Sequence, residues 1–271
     1  MLVMSEVAIS IDSQESPAAA LPDLRFEPTR PRFSRADFQH TSEGHRADHP
    51  FRDVFESTGW HRAYEGVNRD FIYTTCKRTM DISVSLFSLV LLSPIMIMSA
   101  IAVKLNDRGP LLFSQIRVGD AGREFRCLKF RSMVVNAESM QSSLIEQNKH
   151  ADHRTFKMSD DPRITGPGRV LRRLSIDELP QLINVLRGEM SIVGPRPPLP
   201  SEVVLYSNHD YQRLSVKPGL TCIWQVSGRS RLAFPEQVKM DLQYIRERSF
   251  WKDVAIMLKT IPAVLSGDGA S

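Results

Sequence analysis

Cysteine is scarce in this sequence, and the little there is cannot form a framework. The 271 residues hold three, Cys76, Cys127 and Cys222. They are odd in number and far apart, with no Cys-x-x-Cys pair, which argues against a disulfide scaffold or a zinc knuckle and fits a reducing compartment. A phosphate-binding P-loop is also missing. GPGRV at 166–170 is followed by no Gly-Lys-Ser/Thr, so ATP-driven chemistry is not indicated, and there is no dinucleotide-binding fingerprint. The start lacks the basic residues and apolar run of a secretory signal. Internal repeats are absent. Lysine is missing from residues 1–70, which carry eight arginines against twelve acids and so net −4. The remaining 201 residues hold 27 basic and 19 acidic side chains, net +8 within an overall +4. The basic part suits an anionic partner: nucleic acid, a phosphorylated ligand or an acidic lipid surface.

What is present falls into distinct stretches. Residues 1–70 are rich in Pro, Ser and scattered charge without periodicity, and read as a disordered acidic arm. Their histidines, His40, His45, His49 and His61, lack tight metal spacing. From Ile82 to Val103 run 22 residues without a charge, long enough to cross a bilayer. Ser93-Pro94 sits near the middle, where proline removes a backbone bond and kinks a helix. Lys77 and Arg78 precede the run and Lys104 and Arg108 follow it, and basic flanks belong on the cytoplasmic side. A straight span and a re-entrant hairpin both fit these residues, with a buried soluble helix as a third reading. In a hairpin, the Ser93 hydroxyl can satisfy a carbonyl that Pro94 frees.

LLFSQIRVG and REFRCLKF alternate around Gly119-Asp120-Ala121-Gly122 and predict a β-hairpin. Residues 134–150 form a polar helix candidate, and SDDPRITGPGRV a turn-rich loop opening a short helix. On that helix Arg169, Arg172 and Arg173 share a face; the plain reading is a solvated basic surface, the other a convergence on the acids that follow. Those acids are Asp177 and Glu178 in LRRLSIDELPQL. Ser175-x-x-Glu178 has capping-box spacing. Pro180 would then lie inside the helix, whereas proline prefers its first position, so the alternative is an irregular turn before a helix starting at Pro180. The stretches GEMSIVGPRPPLP and KPGLTCIWQVSGRSR read as loops. SFWKDVAIMLKTIPAVL, with Ile256 off its apolar face, predicts an amphipathic helix that is either interfacial or core-packed.

Arginines clamp phosphate, a carboxylate can attack phosphorus, and Mg²⁺ takes one or two carboxylates together with substrate phosphates. A basic body beside a membrane insertion, with paired acids, therefore fits phosphoryl transfer between a soluble and a lipid substrate.

From about Phe71 onward the motifs KRTMD, LLSP, KFRSM, DPRIT, LRRLSIDELPQL, GEMSIVGPRP, KPGLTCIWQVSGR and WKDVAIMLKT occur in one order. In this the chain resembles the bacterial sugar transferases, small monotopic phosphoglycosyl transferases, and among them the short members. The resemblance implies an α+β, mainly α, monotopic membrane protein. Residues 71–104 would form a re-entrant helix-break-helix hairpin broken at Ser93 and Pro94, and residues 105–271 a cytoplasmic catalytic domain with a small β-hairpin and amphipathic interfacial helices. It implies that Asp177 attacks the sugar-bearing phosphate of a UDP-sugar, that UMP leaves, and that polyprenyl phosphate then takes the sugar-phosphate. Glu178, with Asp177, would bind Mg²⁺; Arg172 would hold phosphate and Arg196 the nucleotide. Lys129 and Arg131 would contact phosphate or headgroups, with a structural salt bridge as the rival. Asp160 and Asp161 read as turn residues. The implied place is the cytoplasmic face of the bacterial inner membrane, with UDP-galactose or UDP-glucose as donor and no nucleic acid as partner. The rival from another class is a non-catalytic, membrane-anchored basic module binding acidic lipid or nucleic acid, with Trp224 and Arg229 on the bases.

Overall fold

The computed structural model describes residues 71–137, 139–140, 161–228 and 232–266. The acidic arm of residues 1–70, most of the polar stretch 134–150, Asp160, Arg229 and Arg231 lie outside them. The described chain is mostly helical with two small sheets, the expected α+β class.

It opens with α1 (Phe71–Leu91) and α2 (Ser93–Asp107), bent by 62° where they meet. The cause is local. Pro94 has no N–H to give to the Val90 carbonyl, and the Ser93 hydroxyl donates to that same oxygen at 2.8 Å instead. No single helix among the described residues is long and apolar enough to cross a membrane, but the bent pair taken together is. Leu86, Phe87, Val90, Leu91, Ile97, Met98 and Ile101, around the bend, are each more than half exposed.

β1 (Leu112–Val118) and β2 (Glu124–Phe130) form the predicted antiparallel hairpin, Leu112 opposite Phe130 and Val118 opposite Glu124. Its turn uses left-handed backbone at Ala121 and Gly122. After it come α3 (Gly166–Arg173), a 3₁₀ turn (Ile176–Glu178), α4 (Gln181–Arg187) and β3 (Ser191–Val193). Then follow α5 (Pro200–Val203), α6 (Asn208–Tyr211), β4 (Gly219–Thr221), α7 (Ile223–Ser227), α8 (Phe234–Glu247) and α9 (Phe250–Ser266).

The two stretches expected to be loops each carry a strand. β3 and β4 pair in parallel, Ser191 with Gly219 and Val193 with Thr221. Strands of three residues are too short to show an alternating pattern, so periodicity could not reveal them. Just beyond, Gly194 and Gly219 nearly touch. A Cβ on Gly219 would lie 2.1 Å from the Gly194 nitrogen, and one on Gly194 2.5 Å from the Lys217 carbonyl oxygen.

The core gathers Val118, Val185, Met190, Val193, Val203 and Val238, all essentially inaccessible; each side chain contributes about 1.5–3 kcal/mol of transfer free energy. A smaller cluster of Val103, Phe130 and Leu171 joins α2, β2 and α3. Three polar devices lock the elements. Arg78 of α1 donates to the Val185 and Leu186 carbonyls at 2.6 and 2.7 Å, closing the C-terminal end of α4. Asp253 of α9, fully buried, accepts from Tyr73 (3.0 Å), Lys77 (2.9 Å) and Tyr244 (2.7 Å). Asn184 of α4, also fully buried, accepts from the Leu128 N–H at 3.0 Å and donates to the Arg126 carbonyl at 2.8 Å. It therefore clamps α4 to β2.

Replacing Asn184 with Ala strands an N–H and a carbonyl of β2 at a buried site, where each unmade bond costs about 1–3 kcal/mol. Asn184→Ala is expected to lower stability by roughly 2–4 kcal/mol, read as the shift in denaturant unfolding. A shift below half a kilocalorie, on the order expected of a surface change, would show that the clamp carries nothing.

α9 corrects the sequence reading in one respect. Ile256, placed off the apolar face, is the residue that packs into the core beside Asp253, while Trp251, Leu258, Ile261 and Leu265 face outward and are more than half exposed.

Candidate active site

The acids do not sit in a capping box. Ser175 has a left-handed backbone, φ 54°, and its side chain caps nothing. It ends the run from α3, and Ile176–Glu178 form a separate 3₁₀ turn. α4 starts at Gln181 with Pro180 at its N-cap, so the alternative of an irregular turn ahead of the helix is the one the chain adopts. The tight turn points Asp177 and Glu178 into different surroundings.

Glu178 meets cations. The Lys129 ammonium is 2.6 Å from its Oε1, and the Arg196 guanidinium 3.6 Å from the same oxygen. Burial pushes the Glu178 carboxyl up, but Lys129 and Arg196 outweigh it and hold its pKa at about 2. Asp177 is buried, with only 7% of its surface exposed. Its pKa is raised, by burial first, with Lys129 opposing and the neighbouring Glu178 charge adding to the rise. Two adjacent carboxyls are thus pushed apart: one pinned as an anion, the other more basic. Such a split assigns different roles to paired acids.

The predicted residues among those described each have a definite place. Lys129 reaches the acids because Asn184 fixes β2 against α4. Arg172 donates from Nε to the Ser132 hydroxyl at 2.9 Å and acts electrostatically on Asp177. Arg169 and Arg173 are exposed, so of the three arginines on α3 only Arg172 turns inward. α3 can lie so close to β2 because residue 168 is glycine; a Cβ there would sit 2.0 Å from the Ser132 carbonyl oxygen. Arg131 is buried and ion-paired with Asp107 at the end of α2, the salt-bridge arrangement weighed as the rival. Asp161 is bound by Arg163 through Nε at 2.9 Å and Nη2 at 2.6 Å, as a turn residue. Ser93 and Pro94 lie at the helix bend, apart from the acids. Trp224 is buried, which leaves no exposed indole there for a nucleobase to stack on.

A cleft opens beside Glu178, lined by Arg117, Lys129, Gln181, Arg196, Pro197 and Gln225 among others. Arg117, Gln181 and Gln225 were missed in the sequence. Arg117 had a signal, a cation within an alternating strand ending in Val-Gly, whereas the two glutamines had none. With three cations around one glutamate, the cleft is built for an anion.

A divalent ion can be tested against the donor set. Among the described residues no three His, Cys, Asp or Glu side chains converge as a ready-made cage. Asp177 and Glu178 alone match what Mg²⁺ uses when phosphates supply its other ligands. They fit an ion that arrives with phosphate.

Known proteins with similar sequences place the chain in a family. The family model described as bacterial sugar transferase matches residues 72–267. The galactosyl transferase CpsE of Streptococcus agalactiae is 45% identical over 201 residues, covering 74% of this chain and 44% of that protein. The exopolysaccharide production protein ExoY of Sinorhizobium fredii is 41% identical over 197 residues, covering 72% of this chain and 87% of ExoY. The undecaprenyl-phosphate galactose phosphotransferase of Salmonella typhimurium is 43% identical over 197 residues, 72% of this chain and 41% of that enzyme. The chain thus spans less than half the length of CpsE and of the Salmonella enzyme but most of ExoY. By its matched region, the chain belongs to the bacterial sugar transferase family.

Proposed function

We propose that this protein is a phosphoglycosyl transferase that moves sugar 1-phosphate from a UDP-sugar to polyprenyl phosphate, the first membrane step of exopolysaccharide synthesis. The observation that carries this is the adjacent acid pair, of which Glu178 lines a cationic cleft and Asp177 is buried next to it. A cleft with Arg117, Lys129 and Arg196 neutralises a diphosphate, and positioning with charge neutralisation is most of what phosphoryl transfer needs.

In the first step an Asp177 oxygen attacks the sugar-bearing phosphorus. The bond from that phosphorus to the bridging oxygen breaks, and UMP leaves with the electron pair. Asp177 then carries the sugar-phosphate as an acyl-phosphate. In the second step an oxygen of polyprenyl phosphate attacks the same phosphorus, and Asp177 departs as a free carboxylate. Burial and the Glu178 charge make Asp177 the better nucleophile. Glu178, with Asp177, would hold a magnesium ion arriving with the donor, which would supply charge neutralisation at the diphosphate. Arg172 holds phosphate at Asp177, and Arg196 the nucleotide. UDP-galactose or UDP-glucose is the favoured donor, and the names of CpsE and of the Salmonella enzyme support galactose.

The bent α1–α2 pair is read as a re-entrant hairpin at the cytoplasmic face of the inner membrane, dipping in as far as Ser93-Pro94 and returning. The exposed apolar residues around the bend and along α9 support this, as do the basic residues at both ends. Single cysteines placed near residues 71 and 107 are expected to react with an impermeant thiol reagent from the same side of sealed vesicles. Labelling from opposite sides would rule out the hairpin.

The reaction is tested by UMP release from a panel of UDP-sugars with polyprenyl phosphate and Mg²⁺. Release with one donor and formation of the lipid-linked diphosphosugar are expected. No release with any UDP-sugar would leave the non-catalytic lipid-binding module as the better account.

A further inference from the structure

Arg196 sits in a turn that cannot hold itself. Pro195, Pro197 and Pro198 surround it, and none of the three has an N–H to donate. Apart from the Arg196 N–H the turn offers only carbonyls, and its position depends on who donates to them. Three donors come from elsewhere in the chain. The Gly219 N–H of β4 bonds to the Pro195 carbonyl at 2.8 Å, and the Val118 N–H of β1 to the Pro198 carbonyl at 3.0 Å. The third is a side chain: Arg117 Nη1 donates to the Pro197 carbonyl at 2.9 Å.

Arg196 needs such external support. Its nearest carboxylate oxygen, on Glu178, is 3.6 Å away, beyond a direct hydrogen bond, and its side chain is 38% exposed. Among the described residues no tight bond of its own fixes the guanidinium over the cleft. Arg117 is fixed at the other side, with Nη2 donating to Gln115 Oε1 at 2.9 Å. Its fork therefore spans from the strand to the turn. Its Nε is buried with no hydrogen-bond partner among the described residues, a cost that a plain structural staple could avoid. Arg117 also lines the cleft beside Arg196 and Glu178. Its charge repels Arg196 and leaves the Glu178 side as the favourable direction for that guanidinium.

We propose that Arg117 is a positioning residue: by holding the Pro197 carbonyl and facing Arg196 with like charge, it sets the Arg196 guanidinium over the cleft. The proposal rests on the transferase reading only for which molecule Arg196 meets.

The test is Arg117→Lys, which keeps the charge but gives up the fork, so Pro197 and Gln115 cannot both be reached. With arginine Nε labelled with ¹⁵N, the side-chain signal of Arg196 is assigned by its absence in Arg196→Met. Arg196 is expected to be ordered in the wild type and to become mobile in Arg117→Lys by heteronuclear NOE. In the same variant KM for the UDP-sugar should rise about tenfold, the scale of one charge-assisted hydrogen bond, with a smaller change in kcat. Adding Arg117→Lys to Arg196→Met should do little more than Arg196→Met alone, because the two act as a unit. Arg196 staying ordered in Arg117→Lys, or additive losses in the double variant, would overturn the proposal. Absence of UMP release by the wild type would instead strike the transferase reading, and the NMR result would still decide the role of Arg117.

Discussion

Asp177→Asn is expected to reduce UMP release by about 10³-fold or more, the scale seen when a covalent nucleophile is removed. Asn keeps the shape and polarity of the side chain but cannot attack phosphorus to give an acyl-phosphate. The fold should survive, because the ion pairs with Lys129 and Arg196 are made by Glu178 and not by Asp177. Among the described residues no cation lies within ion-pair distance of Asp177, so removing its charge sacrifices little. Unfolding temperature and turnover, measured on the same preparation, separate the two effects. Retained turnover in Asp177→Asn would end the nucleophile assignment. A second measurement addresses the order of events: incubating the wild type with labelled donor and no lipid acceptor should leave labelled sugar-phosphate on the protein. A clean failure to label, with turnover intact once lipid is added, would mean that the lipid phosphate attacks directly and Asp177 acts through the metal.

Asp253→Ala is expected to produce the largest loss of stability. The carboxylate is fully buried and is shared by Lys77 and Tyr73 of α1 and Tyr244 of α8. Deleting it strips Lys77 of its buried counter-ion and removes an acceptor from both tyrosines, although Tyr244 still reaches the Val193 carbonyl at 3.1 Å, and removing one partner of a buried ion pair costs about 3–5 kcal/mol. In a domain of this size that corresponds to a fall in unfolding temperature of roughly 10 °C. Asp253→Asn still offers an acceptor to the tyrosines but no charge to Lys77, so it should fall between wild type and Ala. Equal unfolding temperatures for wild type and Asp253→Ala would show that the Asp253 carboxylate does not hold α1.

Features decided within a few residues were legible in the sequence. The bend at Ser93-Pro94 follows from one missing N–H, and the serine that compensates stands next to it. The hairpin around Gly119–Gly122 follows from alternation and two glycines. The capping box was misleading because spacing carries no information on the sign of φ at Ser175, and a left-handed residue there undoes the motif. Of the arginines on α3, helical spacing gave a shared face, but the close packing at Gly168 decides that only Arg172 turns in. What could not be read is what long separations bring together: β3 with β4, Lys77 with Asp253, Arg117 with Pro197. Nothing in the local pattern of either partner marks them. Lys129, Glu178 and Arg196 were each named from the sequence, yet their meeting at one carboxylate depends on Asn184, which looked like any helix polar residue.

The near-contact of Gly194 and Gly219 bears on how the protein is made. A ribosome delivers the chain from its N-terminus, and Gly219 follows Gly194 by about 25 residues. When residue 200 has emerged, both acids, the lysine and the arginine turn already exist, but the strand that lies across that turn does not. The turn gains the Gly219 N–H at the Pro195 carbonyl only once β4 has been synthesised and has slid in against a backbone that leaves no room for a side chain. A nascent chain, or one truncated before β4, therefore carries its acids without a finished cleft.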